Sequence, residues 1–374
     1  MAGRGLNKRA LFADLMYEPH PGQLEIHDAT APRRIVACGV RWGKTLCAAM
    51  EGLILRNMAG GLSEIRGKSA DNPVSLLGEG LDWVIVDEAS RLKPTIWESH
   101  LSQRLIDKRG WALLISTPKG KGYLYDLFRR GQGSDSDYKS WNWPSRTNPL
   151  LDADVIERER ARLPERVFRQ EYEAEFMEGS GAVFRNVREC ATGSWQKPIP
   201  GATYFAGLDL AKVEDYTVFV IMSRGREVVF VDRFHRIDWA QQVDRVRAAG
   251  ARHNRARTLC DSTGVGEPVF EALKSAGCRV EPYPFTARSK QALINNLALL
   301  LEKHELRRPR PDLWPEGIDE LESFEYSITD AGNVRTGAPG GYHDDCVIAL
   351  ALAAWQAKSA RRRFRASVVG GARG

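Results

Sequence analysis

Residues 35–45 read IVACGVRWGKT, and this stretch decides the fold of the first half of the chain. Residues 35–38 form an apolar run typical of a buried strand, and a helix pattern begins at Lys44. Glycines between them allow backbone N–H groups to turn inward around phosphate oxygens, where Lys44 would neutralise charge and the Thr45 hydroxyl would bind Mg²⁺. The sequence therefore predicts a phosphate-binding loop. The standard pattern has glycine where Cys38 stands, so a glycine turn with a chance lysine is the alternative.

Two further apolar strands end in polar residues. Residues 83–88 read WVIVDE, which places Asp87 to hold a magnesium shell and Glu88 to polarise an attacking water. Residues 113–120 read LLISTPKG, and a hydroxyl such as that of Thr117 at this strand end is suited to sensing a terminal phosphate. Solvated acids at a strand end and an ordinary Ser-Thr-Pro turn are the alternatives. The upstream loop makes the nucleotide-site interpretation the better one.

Acidic residues recur at the ends of predicted elements in the second half of the chain. Asp209 and Asp261 each end a strand, while Asp344 and Asp345 open a helix whose N-terminal dipole stabilises carboxylates. Several acids gathered from distant points are what two-metal phosphodiester hydrolysis requires. Taken one at a time, each acid is also explained as a strand-end residue or a helix cap.

Composition and spacing indicate two domains. The predicted boundaries are 1–178 and 201–360, with a glycine- and proline-containing linker at 179–200 and a basic tail without regular structure at 361–374. The net charge of +6 and the pI near 9.0 suit an anionic partner without proving one. Six scattered cysteines suggest neither a zinc site nor a disulfide framework, and no signal peptide or membrane span is predicted.

Beyond single motifs, six long segments together resemble the large terminase subunit of tailed bacteriophages. In the first half they are SADNPVSLLGEGLDWVIVDEASRL, GWALLISTPKGKGYLYDLF and TNPLLDADVIERERARLPERVFRQEYEAEF; in the second half they are AGLDLAKVEDYTVFVI, CDSTGVGEPVFEAL and GYHDDCVIALALAAW. The resemblance implies an α/β protein with a P-loop (additional-strand) ATPase domain followed by an RNase H-like nuclease domain. It also implies ATP-driven translocation of double-stranded DNA into a capsid and endonucleolytic cutting of the DNA concatemer.

The resemblance assigns roles residue by residue. For ATP and its Mg²⁺ it implies the set Gln23, Gly39, Arg41, Gly43, Lys44, Thr45, Asp87 and Thr117, with Glu88 catalytic. For the nuclease it implies Asp209, Asp261 and Asp344 as catalytic metal ligands, Asp345 as an additional ligand and Asp215 as an accessory acid. The implied cofactors are ATP and Mg²⁺, with Mn²⁺ as an alternative metal in the nuclease. A surface turn is the alternative for Gln23, and a structural turn residue is the preferred interpretation of His343.

The implied partners are double-stranded DNA, the portal of the procapsid and a small terminase subunit. The resemblance further implies a homo-oligomeric ring, a pentamer, during packaging and a monomer in solution. It places the protein in the host cytoplasm and transiently at the portal, outside the mature virion and away from membranes.

One departure from the family pattern concerns the spacing. Only about forty residues separate Thr45 from Asp87, where terminases hold a further strand and helix. The alternative function is therefore a metal-dependent nuclease from a shortened terminase with impaired ATPase. A non-enzymatic DNA-binding scaffold would require every acid to be structural, and an RNase H-like recombinase would not need the nucleotide motifs.

Overall fold

The computed structural model describes residues 8–58, 64–177, 181–210, 216–261, 267–328, 334–339 and 343–370. The chain forms two compact units. The first unit comprises Met1–Gly179 with Ile328–Arg335, and the second comprises Ser180–Ser327 with Thr336–Gly374. Each unit is described by itself below.

The first unit is built on a parallel four-stranded sheet. Its strands are β1 (Arg33–Ala37), β2 (Trp83–Val86), β3 (Trp111–Ser116) and β4 (Tyr138–Trp141), in the order β2-β3-β1-β4. The central strands β1 and β3 are almost fully buried, whereas every residue of β2 is partly exposed, as expected for a strand at the sheet edge. The sequence predicted β1, β2 and β3. It did not predict β4, whose residues YKSW carry little strand signal.

Helices cover this sheet and connect its strands. They are α1 (Lys8–Asp14), α2 (Pro21–Asp28), α3 (Lys44–Met58), α4 (Pro94–Ile96), α5 (Tyr123–Gly131), α6 (Ala153–Arg160) and α7 (Glu165–Glu171). The loop after β1 leads directly into α3, as the sequence predicted. Parallel strands joined by helices place all their carboxyl ends at one edge of the sheet, so loops that follow β1, β2 and β3 meet there.

The second unit contains a mixed five-stranded sheet in the order β10-β9-β6-β7-β8 and a small sheet in the order β12-β11-β5. The strands are β5 (Gly181–Ala182), β6 (Tyr204–Asp209), β7 (Thr217–Ser223), β8 (Val228–Phe234), β9 (Arg257–Asp261), β10 (Arg279–Tyr283), β11 (Glu325–Ile328) and β12 (Val334–Gly337). Strands β6, β7 and β8 are antiparallel neighbours, and β9 lies parallel to β6. The predicted turn at residues 223–226 is confirmed, because the Arg226 amide donates to the Ser223 carbonyl and the strands pair beyond it.

The helices of the second unit are α8 (Trp239–Arg252), α9 (Glu267–Ser275), α10 (Ala287–Glu302), α11 (Pro315–Ser323) and α12 (Asp345–Gly370). Helix α12 packs on β6 and β7, and residues 346–354 of it are buried because they form its apolar stretch. Among the described residues, no helix combines the length and apolar character needed to cross a membrane. All six cysteines are unpaired.

Two segments differ from the sequence prediction. Residues 183–191, predicted as part of a linker, bury Val183, Phe184 and Val187 within the second unit, because this stretch lacks periodicity but not apolar side chains. Helix α12 continues through residues 361–370, which the sequence analysis placed in an irregular tail.

Candidate active sites

The loop after β1 adopts the shape that its glycines permit. Gly43 has φ +101°, a conformation that disfavours side chains. A Cβ on Gly39 would lie 2.4 Å from Ser145 Oγ and 2.7 Å from the Tyr172 carbonyl oxygen, so only glycine fits there. Cys38, the departure from the standard pattern, is buried, and its amide donates to the Ser116 carbonyl. The substitution is therefore accommodated at the end of the strand, before the loop turns.

Lys44 and Thr45 open helix α3 and face the acids of β2. The Lys44 ammonium donates to the carbonyls of Cys38 (2.9 Å) and Gly39 (2.8 Å) and to Thr117 Oγ1 (3.3 Å). Burial lowers the pKa of Lys44, while nearby carboxylates including Glu88 and Asp87 act in the opposite direction. Thr45 Oγ1 lies 3.4 Å from Asp87 Oδ2. A hydroxyl and a carboxylate at this separation are suited to sharing a Mg²⁺ shell.

The remaining predicted ATP residues surround this pair. Glu88 and Arg41 are non-glycine residues with positive φ, at 52° and 60°. The Arg41 carbonyl accepts from Asn148 Nδ2 at 2.9 Å, which holds the loop in this conformation, and the Glu88 side chain is exposed beyond β2. Thr117 is buried at the end of β3, in contact with the Lys44 ammonium. The structure thus brings together three strand ends and one helix N-terminus.

Gln23 is buried and lies on helix α2 against the loop. Its Nε2 donates to the Gly43 carbonyl at 3.1 Å, and its Oε1 accepts from the His20 amide at 3.0 Å. His20 Nε2 lies 3.1 Å from the Trp42 carbonyl oxygen, so donation from this nitrogen fixes the loop at a second point. Sequence reasoning missed His20, whose contact depends on the fold of α2 against the loop. Gln23 and His20 therefore hold the loop directly.

In the second unit, the strand register brings Asp209 and Asp261 to the same sheet edge. Strands β6 and β9 are parallel neighbours with Leu208 opposite Cys260, and the two aspartates are the next residues of each strand. The cause is local: both strands are short apolar runs that end where the first acid appears. Their carboxyl ends therefore present two carboxylates on adjacent strands.

Gly207 brings the start of α12 to this pair. A Cβ at Gly207 would lie 2.0 Å from the Ala349 carbonyl oxygen and 2.5 Å from the Ala353 amide nitrogen. The helix backbone therefore lies directly on β6, and Asp344 and Asp345 at its N-terminus face the strand ends. The absence of a side chain at one strand position is what permits this approach.

The four carboxylates interact electrostatically. Burial raises the pKa of Asp209 well above its usual value, and repulsion from Asp345, Asp344 and Asp261 raises it further, whereas Lys290 lowers it. Within the residues that the structure describes, no three His, Cys, Asp or Glu side chains converge closely enough to hold a metal ion as they stand. The acids are thus neighbours in charge but not yet at ligand spacing, which is consistent with their mutual repulsion.

Neighbouring groups hold the two acids of α12. Lys290 Nζ on α10 lies 3.4 Å from Asp344 Oδ2, and the Tyr216 amide donates to Asp345 Oδ2 at 3.3 Å. His343 Nδ1 lies 3.6 Å from the same oxygen of Asp345. Sequence reasoning missed Lys290 and Tyr216, for which no local motif gives a signal. Asp215, predicted as an accessory acid, lies outside the described residues.

Donor chemistry supports a divalent cation at this site. Carboxylate oxygens are the ligands that Mg²⁺ and Mn²⁺ prefer, and these four come from two strand ends and one helix N-terminus. The first unit offers loop, hydroxyl and carboxylate groups for a nucleotide with its Mg²⁺. The fold and these two sites define the class of protein as a P-loop ATPase joined to an RNase H-like nuclease.

Comparisons with known proteins give the family. The profile of the terminase RNaseH-like domain family matches residues 206–355. The large terminase subunit of Thermus virus P23-45 is 30% identical over 436 aligned positions, which cover 91% of this chain and 88% of that protein. This chain therefore belongs to the large terminase subunits, which combine DNA packaging with nuclease function.

Two solved structures are also similar to this chain. The large terminase of a thermophilic bacteriophage covers 93% of this chain and 89% of its own, with 12% identity and a TM-score of 0.55, and it shares the fold. The large terminase nuclease of the thermophilic phage G20c with bound magnesium is 31% identical, covers 47% of this chain and 97% of its own, and gives a TM-score of 0.44.

The alignment with the Thermus virus protein also contains a length difference. It runs over 436 positions, while 91% of this 374-residue chain is about 340 residues. About 96 aligned positions therefore have no residue in this chain.

Proposed function

We propose that the first unit hydrolyses ATP at the loop between β1 and α3, and that the second unit cuts double-stranded DNA at the acids around β6. The proposal rests above all on one observation: Asp209 and Asp261 end adjacent parallel strands, and the acidic N-terminus of α12 is held against them by the contact at Gly207. The predicted domains, 1–178 and 201–360 with a linker between them, are proposed as the carriers of the two activities.

In the ATP site, each group has a distinct task. Backbone N–H groups at the start of α3 point outward, because the first turn of a helix has no internal acceptors for them, and they would bind phosphate oxygens. Lys44 would exchange its carbonyl partners for the β- and γ-phosphates. Thr45 and Asp87 would hold Mg²⁺, and Glu88 would orient the attacking water. Thr117, already bonded to Lys44, would respond to the γ-phosphate and to its loss.

In the nuclease site, Asp209, Asp261, Asp344 and Asp345 would hold the divalent cations, with Mg²⁺ or Mn²⁺ as the metal. The cations would lower the pKa of a bound water and neutralise charge on the departing oxygen. Asp209, partly buried, fixes the position of the site on the rigid strand, and Lys290 supplies a compensating charge beside Asp344. No protein nucleophile is needed for this hydrolysis.

The wider machinery follows from the family and is proposed at the same level. The chain would act as a homo-oligomeric ring, a pentamer, docked on the portal of a procapsid and assisted by a small terminase subunit. It would work in the host cytoplasm and leave the mature virion. Its grip on DNA would be mainly to phosphates, and therefore sensitive to salt and largely independent of sequence.

Paired measurements of ATP turnover and plasmid cleavage test the assignments. Lys44→Ala is expected to abolish ATP turnover and to leave cutting intact, because Lys44 belongs to the first unit. Asp209→Ala is expected to abolish cutting and to leave ATP turnover intact. If Asp209→Ala cuts plasmid as well as the wild type, the nuclease assignment is wrong. If Lys44→Ala hydrolyses ATP at the wild-type rate, the ATP-site assignment is wrong.

A second candidate function is favoured by the length difference and by the exposed strand β2. About 96 aligned positions are absent from this chain, and the strand that carries Asp87 is an edge strand with partly exposed apolar residues. These two facts support a nuclease whose ATP turnover is impaired. Wild-type protein that cuts DNA in Mg²⁺ but hydrolyses no ATP with DNA and partners present would establish this alternative.

A further inference from the structure

Helix α12 begins on a buried carboxylate that belongs to another helix. Glu320 on α11 is 6% exposed, and its Oε2 accepts from the Cys346 amide at 2.7 Å. The amides of a helix's first turn have no acceptor within the helix, so an external carboxylate satisfies them and is stabilised by the helix dipole. Cys346 directly follows Asp344 and Asp345. The contact therefore fixes the backbone at the point from which both acids project.

The same carboxylate faces a cation from the neighbouring strand. Arg233 on β8 places its Nη2 3.7 Å from Glu320 Oε1. The Arg233 guanidinium also lies 3.3 Å from the centroid of the Tyr216 ring, and the Tyr216 amide donates to Asp345 Oδ2. Arg233 thus connects Glu320 to the residue that holds Asp345, which gives two routes from α11 and β8 to one pair of acids.

The metal-binding acids themselves do not explain why these groups are buried together. Placing a carboxylate and a guanidinium out of water costs free energy unless each is well paired, and Glu320 Oε1 and Arg233 Nε have no hydrogen-bond partner among the described residues. Burial raises the pKa of Glu320, and the Cys346 amide and Arg233 act against that rise. A surface residue on the same helix could have been paired at lower cost, as Glu322 is with Arg188.

We propose that Glu320 is a positioning residue for the nuclease metal site: by capping α12 through the Cys346 amide, it sets the spacing of Asp344 and Asp345 from Asp209. This inference rests on the proposed function of the four acids as metal ligands. Groups that orient the ligands of a metal affect affinity almost as strongly as the ligands do, with losses of roughly 10- to 100-fold on removal. Glu320 does not touch the metal or the substrate.

Direct titration with Mn²⁺ and no DNA, followed by calorimetry, tests the proposal without relying on activity. Glu320→Ala is expected to weaken Mn²⁺ binding by roughly 10- to 100-fold. Glu320→Gln retains an oxygen that can accept from the Cys346 amide and is expected to stay within about threefold of the wild type. Glu322→Gln is the matched control, because it lies on the same helix and pairs with exposed Arg188 at 2.7 Å; it is expected to bind as the wild type does.

The outcomes separate the proposal from a general effect on folding and from the proposed function. Wild-type affinity in Glu320→Ala overturns the proposal, and so does an equal loss in Glu320→Gln, since that would exclude capping as the cause. If Glu320→Ala does not fold, Glu320→Asp tests the same contact, because its oxygens withdraw by about 1.5 Å; weaker Mn²⁺ binding supports the proposal and unchanged binding overturns it. Wild-type protein that binds no Mn²⁺ would instead refute the proposed metal site.

Discussion

Gly207→Ala tests whether the helix contact at β6 assembles the nuclease site. The added Cβ would lie 2.0 Å from the Ala349 carbonyl oxygen, and carbon-to-oxygen contacts below 3.0 Å are essentially never seen, so α12 must move by about 1 Å or more. Both atoms belong to backbone, so no side-chain rotation relieves the clash. Overpacking of this kind costs roughly 1–3 kcal/mol. The displaced helix carries Asp344 and Asp345 away from Asp209.

The expected result is a loss of about 100-fold in plasmid cleavage at saturating Mg²⁺, because misplacement of reacting groups by about 1 Å has an effect of this size. ATP turnover, which belongs to the other unit, should remain near wild type. The control is Gly250→Ala on α8, where an added Cβ meets nothing within 4 Å; it should cut DNA normally and gain about 0.5–1 kcal/mol in stability. Wild-type cleavage by Gly207→Ala in folded protein would refute the argument.

Three further predictions concern charge and loop geometry. Burial raises the pKa of Glu51, but His27, Arg34 and Lys8 lower it further, to about 2, so its stabilising effect is present above pH 4.5 and lost as the pH falls towards 2; Glu51→Gln should lose roughly 3–5 kcal/mol at neutral pH in urea unfolding and lack that acid-dependent loss, and equal pH profiles would contradict this. Gly43→Ala should weaken nucleotide binding at least about tenfold, because φ +101° and a 2.7 Å approach to Gln23 Nε2 oppose a side chain; unchanged affinity in a fluorescent-nucleotide titration would count against it. Lys290→Met should tighten Mn²⁺ binding by roughly two- to fivefold, since it removes a partly exposed competing cation; weaker binding in calorimetry would contradict the assignment of Asp344.

The main elements of both units were predictable because their signals are local. The apolar run before Cys38, the Asp-Glu pair after β2 and the acids that end β6 and β9 are each visible within a few consecutive residues. Parallel topology then carries those residues to one sheet edge without further information. This is why the class of fold and the family could be predicted from the sequence.

The supporting residues could not be predicted, for a different physical reason. Lys290 is 54 residues from Asp344 in the chain, and Glu320 is 26 residues from Cys346. Their contacts depend on how α10 and α11 pack against α12, and their own neighbourhoods read as ordinary amphipathic helices. Gln23 illustrates the same limit, since its sequence context does not show that its amide bonds the Gly43 carbonyl. The assignments of individual site residues remain predictions for the experiments above.

The position of β2 at the edge of its sheet has a consequence for motion. Within the described part of the chain, β2 is hydrogen-bonded to β3 alone, whereas β1 has a neighbour on each side. A strand with one neighbour opens locally at lower free energy, so its amides should exchange with solvent sooner. A magnesium-bound nucleotide that bridges Thr45 on α3 and Asp87 beyond β2 would fasten this loose margin to the centre of the unit, and product release would free it again. The least restrained strand is thus the one whose mobility the bound nucleotide can switch.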